Sequence, residues 1–300
     1  MPAEAALLLK ATLALSMTAG AATASLPDSS PLAPAGPPLV APLPAAQPAP
    51  PAAVRELAPP PPVPLSPFHE ALRQVQAHLK LIEAKGRSLS KGLPFRRGHL
   101  RNPAQLPLEG LGFRFIREFR NASFGTDDLI SGLLETCARL KEADPEMPPL
   151  AVGDLSGPRG GRIALHRSHR NGRDADLVFF WTDEDGKPVP ADEFVRFDAR
   201  GQAVHRGRRI LFDARRNWAL VRELLTNPRF GERVKYIFVY GPLKRRLLEY
   251  AQREEGDLFL VEKAWLLLQQ PGRRAGKHDN HFHLRITCSA DELLDGCRDS

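Results

Sequence analysis

The chain lacks the features that announce several large protein classes. It has no glycine loop of the phosphate-binding kind, which removes the common nucleotide-binding classes, and no internal repeat, which removes solenoids and propellers. Beyond its first residues no apolar run is long enough to span a membrane. No run of lysine and arginine exceeds a few residues and no aromatic and glycine nucleic-acid signature accompanies them. Direct nucleic-acid binding is therefore not expected, despite a net charge of +7.

What is present is unevenly spread. Fifteen of the 29 prolines fall in the forty positions 25–64, interleaved with alanine and leucine and almost free of charge. Such a stretch cannot bury a core and is expected to be an extended, polyproline-like tether. Upstream, residues 1–24 are small and apolar. The centre at 13–17 and the Ala22-Thr23-Ala24 cleavage pattern predict an export signal, although Glu4 precedes the only cation, Lys10, where a basic start is usual. The folded part is thus expected over 65–300. With 42% hydrophobic residues overall, the chain can fill a sizeable core. The first 64 residues hold two basic and three acidic side chains, so the positive charge belongs to this folded part. A basic exterior suits anionic partners, among them a membrane surface or a cell-wall polymer.

Ser66-Pro67 opens a helix by its capping chemistry, and Phe68, Leu72, Val75, Leu79 and Ile82 then recur at helical spacing. Thr126 caps a second helix, with Asp127 and Asp128 in its first turn and Leu129, Leu133, Cys137 and Leu140 along one stripe. Further helices are expected around 218–225 and 243–251, and 258–269 is strongly apolar. Strands are expected over 150–155, 176–181 and 234–240. Helices before and between separated strands predict an α+β domain with a small, mainly antiparallel sheet flanked by helices. Within it, 65–120 reads as a helical extension and about 124–297 as the core that carries the chemistry.

Five of the nine histidines sit in two short clusters. In "KHDNHFHLRITC", residues 277–288, a period of two sends Phe282, Leu284 and Ile286 to one face and His281, His283 and Arg285 to the other. His278 stands in the loop just before. In "LHRSHRNGRDADL", residues 165–177, His169 and Asp176 are separated by the Asn171-Gly172 turn signal, which lets a loop residue and the following strand converge. Two imidazoles and a carboxylate with a fourth position open are what a catalytic zinc site requires. Surface loops carrying ordinary, hydrogen-bonded histidines are the alternative. Two clusters with complementary ligand counts favour the metal.

The spacing His169-x6-Asp176 followed by His281-x-His283 resembles the signature of the lysostaphin, D-Ala-D-Ala peptidase and hedgehog group of zinc peptidases. More narrowly, "VGDLSGPRGGRIALHRSHRNGRDADL", "YIFVYGPLKRRL" and "HDNHFHLRITCSADELLDGC" are similar in order and spacing to the penicillin-insensitive murein endopeptidases, over about 124–297. The resemblance implies that His169, Asp176 and His283 bind zinc and that His281 is the neighbouring base or transition-state stabiliser. It implies that His166 is a further metal-binding position and that His278 assists catalysis. The family's additional metal positions fall near 198–205, where this chain corresponds poorly. The resemblance also implies a Cys288–Cys297 disulfide, a periplasmic or secreted location, and a peptidoglycan substrate cut between D-alanine and meso-diaminopimelate. A carboxypeptidase or dipeptidase of the same group, and a non-catalytic zinc-containing wall-binding module, are the rival readings.

Other residues have plainer expectations. Ser168 lacks a glycine elbow and an orienting acid, so no serine nucleophile is expected. Cys137 and Trp218 read as helix core. Arg285 either holds a substrate carboxylate or pairs with a nearby acid. Asp174 either orients a ligand or caps the turn.

Overall fold

A computed structural model describes residues 66–272 and 275–299; the expected export signal and tether lie outside the described residues. The first helix, α1 (Pro67–Ala84), starts where its cap dictates: the Ser66 hydroxyl accepts the His69 N–H at 3.4 Å and Pro67 occupies the first turn. It lays Val75 and Ile82 against α2 (Asp127–Ala143), whose Thr126 hydroxyl accepts the Leu129 N–H and whose stripe of Leu129, Leu133, Cys137 and Leu140 is buried. Three more helices pack as a group: α3 (Ala214–Leu225), α4 (Gly241–Glu254) and α5 (Leu258–Leu267). Asp213 and Asp257 cap α3 and α5, and Trp218, 4% exposed, fills the core as its position in the helix implies. A short α6 (Ala290–Leu294) closes the chain with a Ser289–Glu292 capping box.

The fold is α+β, and its sheet is larger than the sequence suggests. Seven strands run in the order Leu268–Gln269, Val234–Phe238, His281–Ile286, Asp174–Val178, Leu150–Val152, Phe113–Phe115, Glu109–Gly110. Four of the six pairings are antiparallel, so the expected character holds. The extra strands are two or three residues long, too short to display a period. Likewise the 65–120 extension is α-helical only to Ala84, with one further 3-10 turn at Glu118–Arg120. Leu89–Leu93 and Arg96–Arg101 then form an antiparallel hairpin, and Phe113–Phe115 joins the main sheet. Gly92, at φ 68°, and Gly98 break the hydrophobic stripe that a helix would need.

The centre of the sheet sets the site. His281–Ile286 pairs antiparallel with Asp174–Val178 in the register His283 opposite Asp176 and Arg285 opposite Asp174. Phe282, Leu284 and Ile286 are fully buried on the opposite face; each such side chain contributes roughly 1.5–3 kcal/mol. That burial fixes the register, because a slip of one residue would turn every histidine into the core.

Behind the strands, the C-terminal segment is locked. The fully buried Arg173 guanidinium donates to Ser90 Oγ at 3.1 Å, the Ile286 carbonyl at 2.9 Å, the Arg298 carbonyl at 2.9 Å and Asp299 Oδ1 at 2.5 Å. The Cys288–Cys297 disulfide closes the same segment and contributes about 2–3 kcal/mol by restricting the unfolded chain. Cys137 remains a free, buried thiol whose pKa burial pushes up to about 12.

Two outcomes follow. Thiol titration is expected to find no reactive group in the native protein at pH 8, one per chain in denaturant, and three in denaturant after reduction. Arg173→Met leaves Asp299 and two carbonyls without their donor and is expected to cost about 2–4 kcal/mol, read from the urea midpoint.

Candidate metal centre

Two pieces of backbone bring the histidine clusters together. His169 sits in the left-handed region at φ 62°, a conformation that a non-glycine residue holds only when its surroundings over-determine it. Here Asp174 Oδ2 accepts the His169 N–H at 3.1 Å, and the His169 carbonyl accepts the Ser156 hydroxyl at 2.7 Å. Gly172, at φ 78°, completes the turn; a Cβ there would lie 2.7 Å from Leu100 Cδ1 and 3.0 Å from the Thr126 nitrogen. The chain then enters the Asp174–Val178 strand two residues earlier than the sequence suggests, so Asp174 and Asp176 share the face that His283 and Arg285 present.

Three donor atoms meet on that face. His169 Nε2, Asp176 Oδ1 and His283 Nδ1 form a triangle with sides of 3.2, 3.1 and 3.1 Å. The outer nitrogens explain what the inner ones offer. His169 Nδ1 donates to the Leu155 carbonyl at 2.7 Å and His283 Nε2 donates to Asp174 Oδ1 at 3.0 Å, so His169 Nε2 and His283 Nδ1 are the nitrogens left to face Asp176. This spacing fits a cation in place of the proton on His283 Nδ1: donors about 2.0–2.2 Å from one tetrahedral ion stand about 3.3 Å apart. His169, Asp176 and His283 are all buried.

The electrostatics agree with the geometry. Burial alone would lower the His283 imidazole, but the Asp174 and Asp176 carboxylates outweigh it and raise the ring to about 9. Burial would likewise raise Asp174, yet Arg285, with Nη1 at 2.6 and 2.7 Å from its two oxygens, and His283 hold it well below the usual carboxylate range. His169 and His281 do the same for Asp176. Of the two roles open to Arg285, the structure therefore shows the acid pair; 1% exposed, it offers no surface to a substrate. Asp174 orients His283 as well as bracing the turn.

The other sequence-predicted residues surround this triangle. His281 Nε2 lies 3.3 Å from Asp176 Oδ1, and its Nδ1 donates to Asn280 Oδ1 at 2.6 Å. His278 Nδ1 donates to the Gly276 carbonyl at 2.7 Å, and burial, with His281 and His283 close by, pulls its pKa down to about 3. The His166 ring lies 4.2 Å from that of His169, tilted by 48°, with its Nδ1 3.8 Å from Asp176 Oδ2. Thus His166, His169 and Asp176 form one group that can hold a metal ion, and His278, His281 and His283 form another. Ser168 Oγ is 3.5 Å from His283 Nε2, with no base of its own. Cavities of about 310 and 350 Å³ open onto the centre, the first at His278 and His283, the second at Asp176 and His281.

Sequence reasoning missed Asp154. Fully buried, it takes His166 Nε2 at 2.6 Å and is itself held by Arg117 at 3.3 Å and Arg120 at 2.9 Å. Its one signal was an acid between a strand and the Gly157-Pro158 turn. In the region 198–205 the structure offers His205, which meets Asp192 at 3.2 Å on one ring nitrogen and Glu193 at 3.0 Å on the other. These three donors also lie within 4.8 Å of one another. Here the carboxylates sit on opposite ring nitrogens of one imidazole, whereas the central triangle has all three sides at 3.1–3.2 Å.

Comparison with known proteins agrees. The family profile of the penicillin-insensitive murein endopeptidases matches residues 94–300. The chain is 31% identical over 191 residues to the penicillin-insensitive murein endopeptidase of Haemophilus influenzae, covering 62% of this chain and 59% of that one. It is 27% identical over 207 residues to that of Pectobacterium atrosepticum, covering 66% and 65%, and 26% identical over 209 residues to that of Yersinia enterocolitica, covering 66% of each. The chain thus spans about three fifths to two thirds of the length of these relatives. A profile that matches through both histidine clusters and the disulfide leaves one assignment: the chain belongs to the penicillin-insensitive murein endopeptidase family.

Proposed function

We propose that the protein is a zinc peptidase of the periplasm or cell exterior that hydrolyses peptide cross-links of peptidoglycan, between D-alanine and meso-diaminopimelate. The observation that carries this reading is the triangle of His169 Nε2, Asp176 Oδ1 and His283 Nδ1. Those three residues would hold the ion. Zinc, when bound, supplies Lewis acidity, lowering the pKa of a water towards about 7 and polarising a carbonyl.

The chain's own groups do the rest. His281 donates its Nδ1–H to Asn280 Oδ1, which leaves Nε2, on the side of the centre, to take or return a proton. His278, held neutral by its depressed pKa, adds a ring that can accept or donate a hydrogen bond without adding charge beside the ion. Asp154 fixes the orientation of His166. Asp174 keeps His283 in the tautomer that points Nδ1 inward. The disulfide suits an oxidising compartment, and no helix among the described residues is long and apolar enough to cross a membrane.

The purified chain is expected to hold about one equivalent of zinc tightly, and His169→Ala or Asp176→Ala to lose it. His281→Ala is expected to keep the zinc while kcat on a muropeptide dimer falls about 10²–10⁴-fold. Monomers without loss of terminal D-alanine identify the endopeptidase; release of D-alanine instead identifies an exopeptidase of the same group. Zinc and murein binding without hydrolysis in either parent or variant identifies a binding module.

A further inference from the structure

Beside the metal centre lies a cavity of about 730 Å³ lined by Phe95, Arg96, Arg162, His166, Arg167 and Arg170. Four guanidiniums and an imidazole share this wall, and among the described residues no carboxylate lines it, although Asp154 lies behind the imidazole, bonded to His166 Nε2 at 2.6 Å. Among the described residues Arg96, Arg162 and Arg170 make no ion pair, and Arg170 Nε is buried without a hydrogen-bond partner. Elsewhere the fold pairs its buried guanidiniums closely, Arg173 with Asp299 and Arg285 with Asp174. Like charges gathered in a concave wall raise the local potential and repel one another until an anion enters. Planar forks with several donors match a carboxylate in particular.

The cavity is joined to the chemistry. Phe95, His166 and Arg167 also line the 310 Å³ cavity that reaches His278 and His283, so one trough runs from the guanidiniums to the metal ligands. The wall between them is apolar: Tyr236 and Phe238 stack at 4.0 Å, and Leu165 and Phe95 stand exposed at the mouth. A peptide with its scissile bond at the metal centre would carry its chain over this apolar step and deliver the next acidic group to the arginines. Peptidoglycan stem peptides bear such groups, the carboxylates of D-glutamate and diaminopimelate, and some are capped as amides.

We infer that this trough selects the free-acid form of the stem peptide, its arginines binding a carboxylate on one side of the cleaved bond. The inference rests on the peptidase reading above. It is tested with the full, zinc-loaded chain on a cross-linked muropeptide dimer with free D-glutamate and diaminopimelate carboxylates and on its amidated counterpart. The parent is expected to show a KM about tenfold lower for the free-acid dimer at similar kcat. In Arg96→Gln/Arg162→Gln that advantage is expected to vanish: KM for the free-acid dimer rises about tenfold, while kcat, zinc content and kinetics on the amidated dimer stay within about twofold. Equal KM values for the two dimers in the parent, or an equal loss on both in the variant, overturns the inference. If the parent cleaves neither dimer, the peptidase reading fails instead. Calorimetric binding of the two dimers then decides: a preference of about tenfold for the free acid that the variant loses supports the trough, and no preference overturns it.

Discussion

Everything at the centre of this protein depends on three donor atoms held within reach of one positive charge. His169 Nε2, Asp176 Oδ1 and His283 Nδ1 stand 3.1–3.2 Å apart, with the outer ring nitrogens donating to the Leu155 carbonyl and to Asp174 Oδ1, so the space between them suits a positive charge, a proton on His283 Nδ1 or an ion in its place. Holding them at that spacing requires a rigid frame. The frame is the sheet register: Phe282, Leu284 and Ile286 buried on one face force His281, His283 and Arg285 onto the other, opposite Asp176 and Asp174.

The frame has an electrostatic layer beneath it. Asp174 is buried with two partners, Arg285 at 2.6 Å and His283 at 3.0 Å, and reaches back to the His169 backbone. One carboxylate thereby ties both histidines of the triangle to one another and to a guanidinium. Desolvating these charges is costly, and a buried pair of this kind adds little stability in net terms. Its effect is on geometry. Arg173, one residue earlier in the chain, performs the corresponding task for the C-terminal segment, and the disulfide restricts the same segment covalently.

The helices, the strand face and the two clusters were legible because each is written in a local period or spacing. The Ser66 and Thr126 caps, the stripe through Cys137 and the alternation from His281 to Ile286 all need only neighbouring residues to be read. Arg285 could be read only as a choice between substrate and acid, because its partner lies 111 positions away on another strand. Asp154 was not legible: its role comes from a fold that brings it against His166, Arg117 and Arg120. The short edge strands left no trace, since two residues cannot show a period. The arginine trough was invisible because, as with Asp154, the fold assembles it from distant segments: Arg96 lies on a hairpin far in sequence from the loop of Arg162 and Arg170. The sequence offered only an overall positive charge.

The most direct test of the account is anomalous scattering at the zinc edge from crystals of the zinc-loaded protein. The account predicts a single strong peak within about 2.2 Å of His169 Nε2, Asp176 Oδ1 and His283 Nδ1, with Asp174 still bonded to His283 Nε2. A peak on Asp192, Glu193 and His205 instead, or no ordered zinc within reach of the triangle, would contradict it.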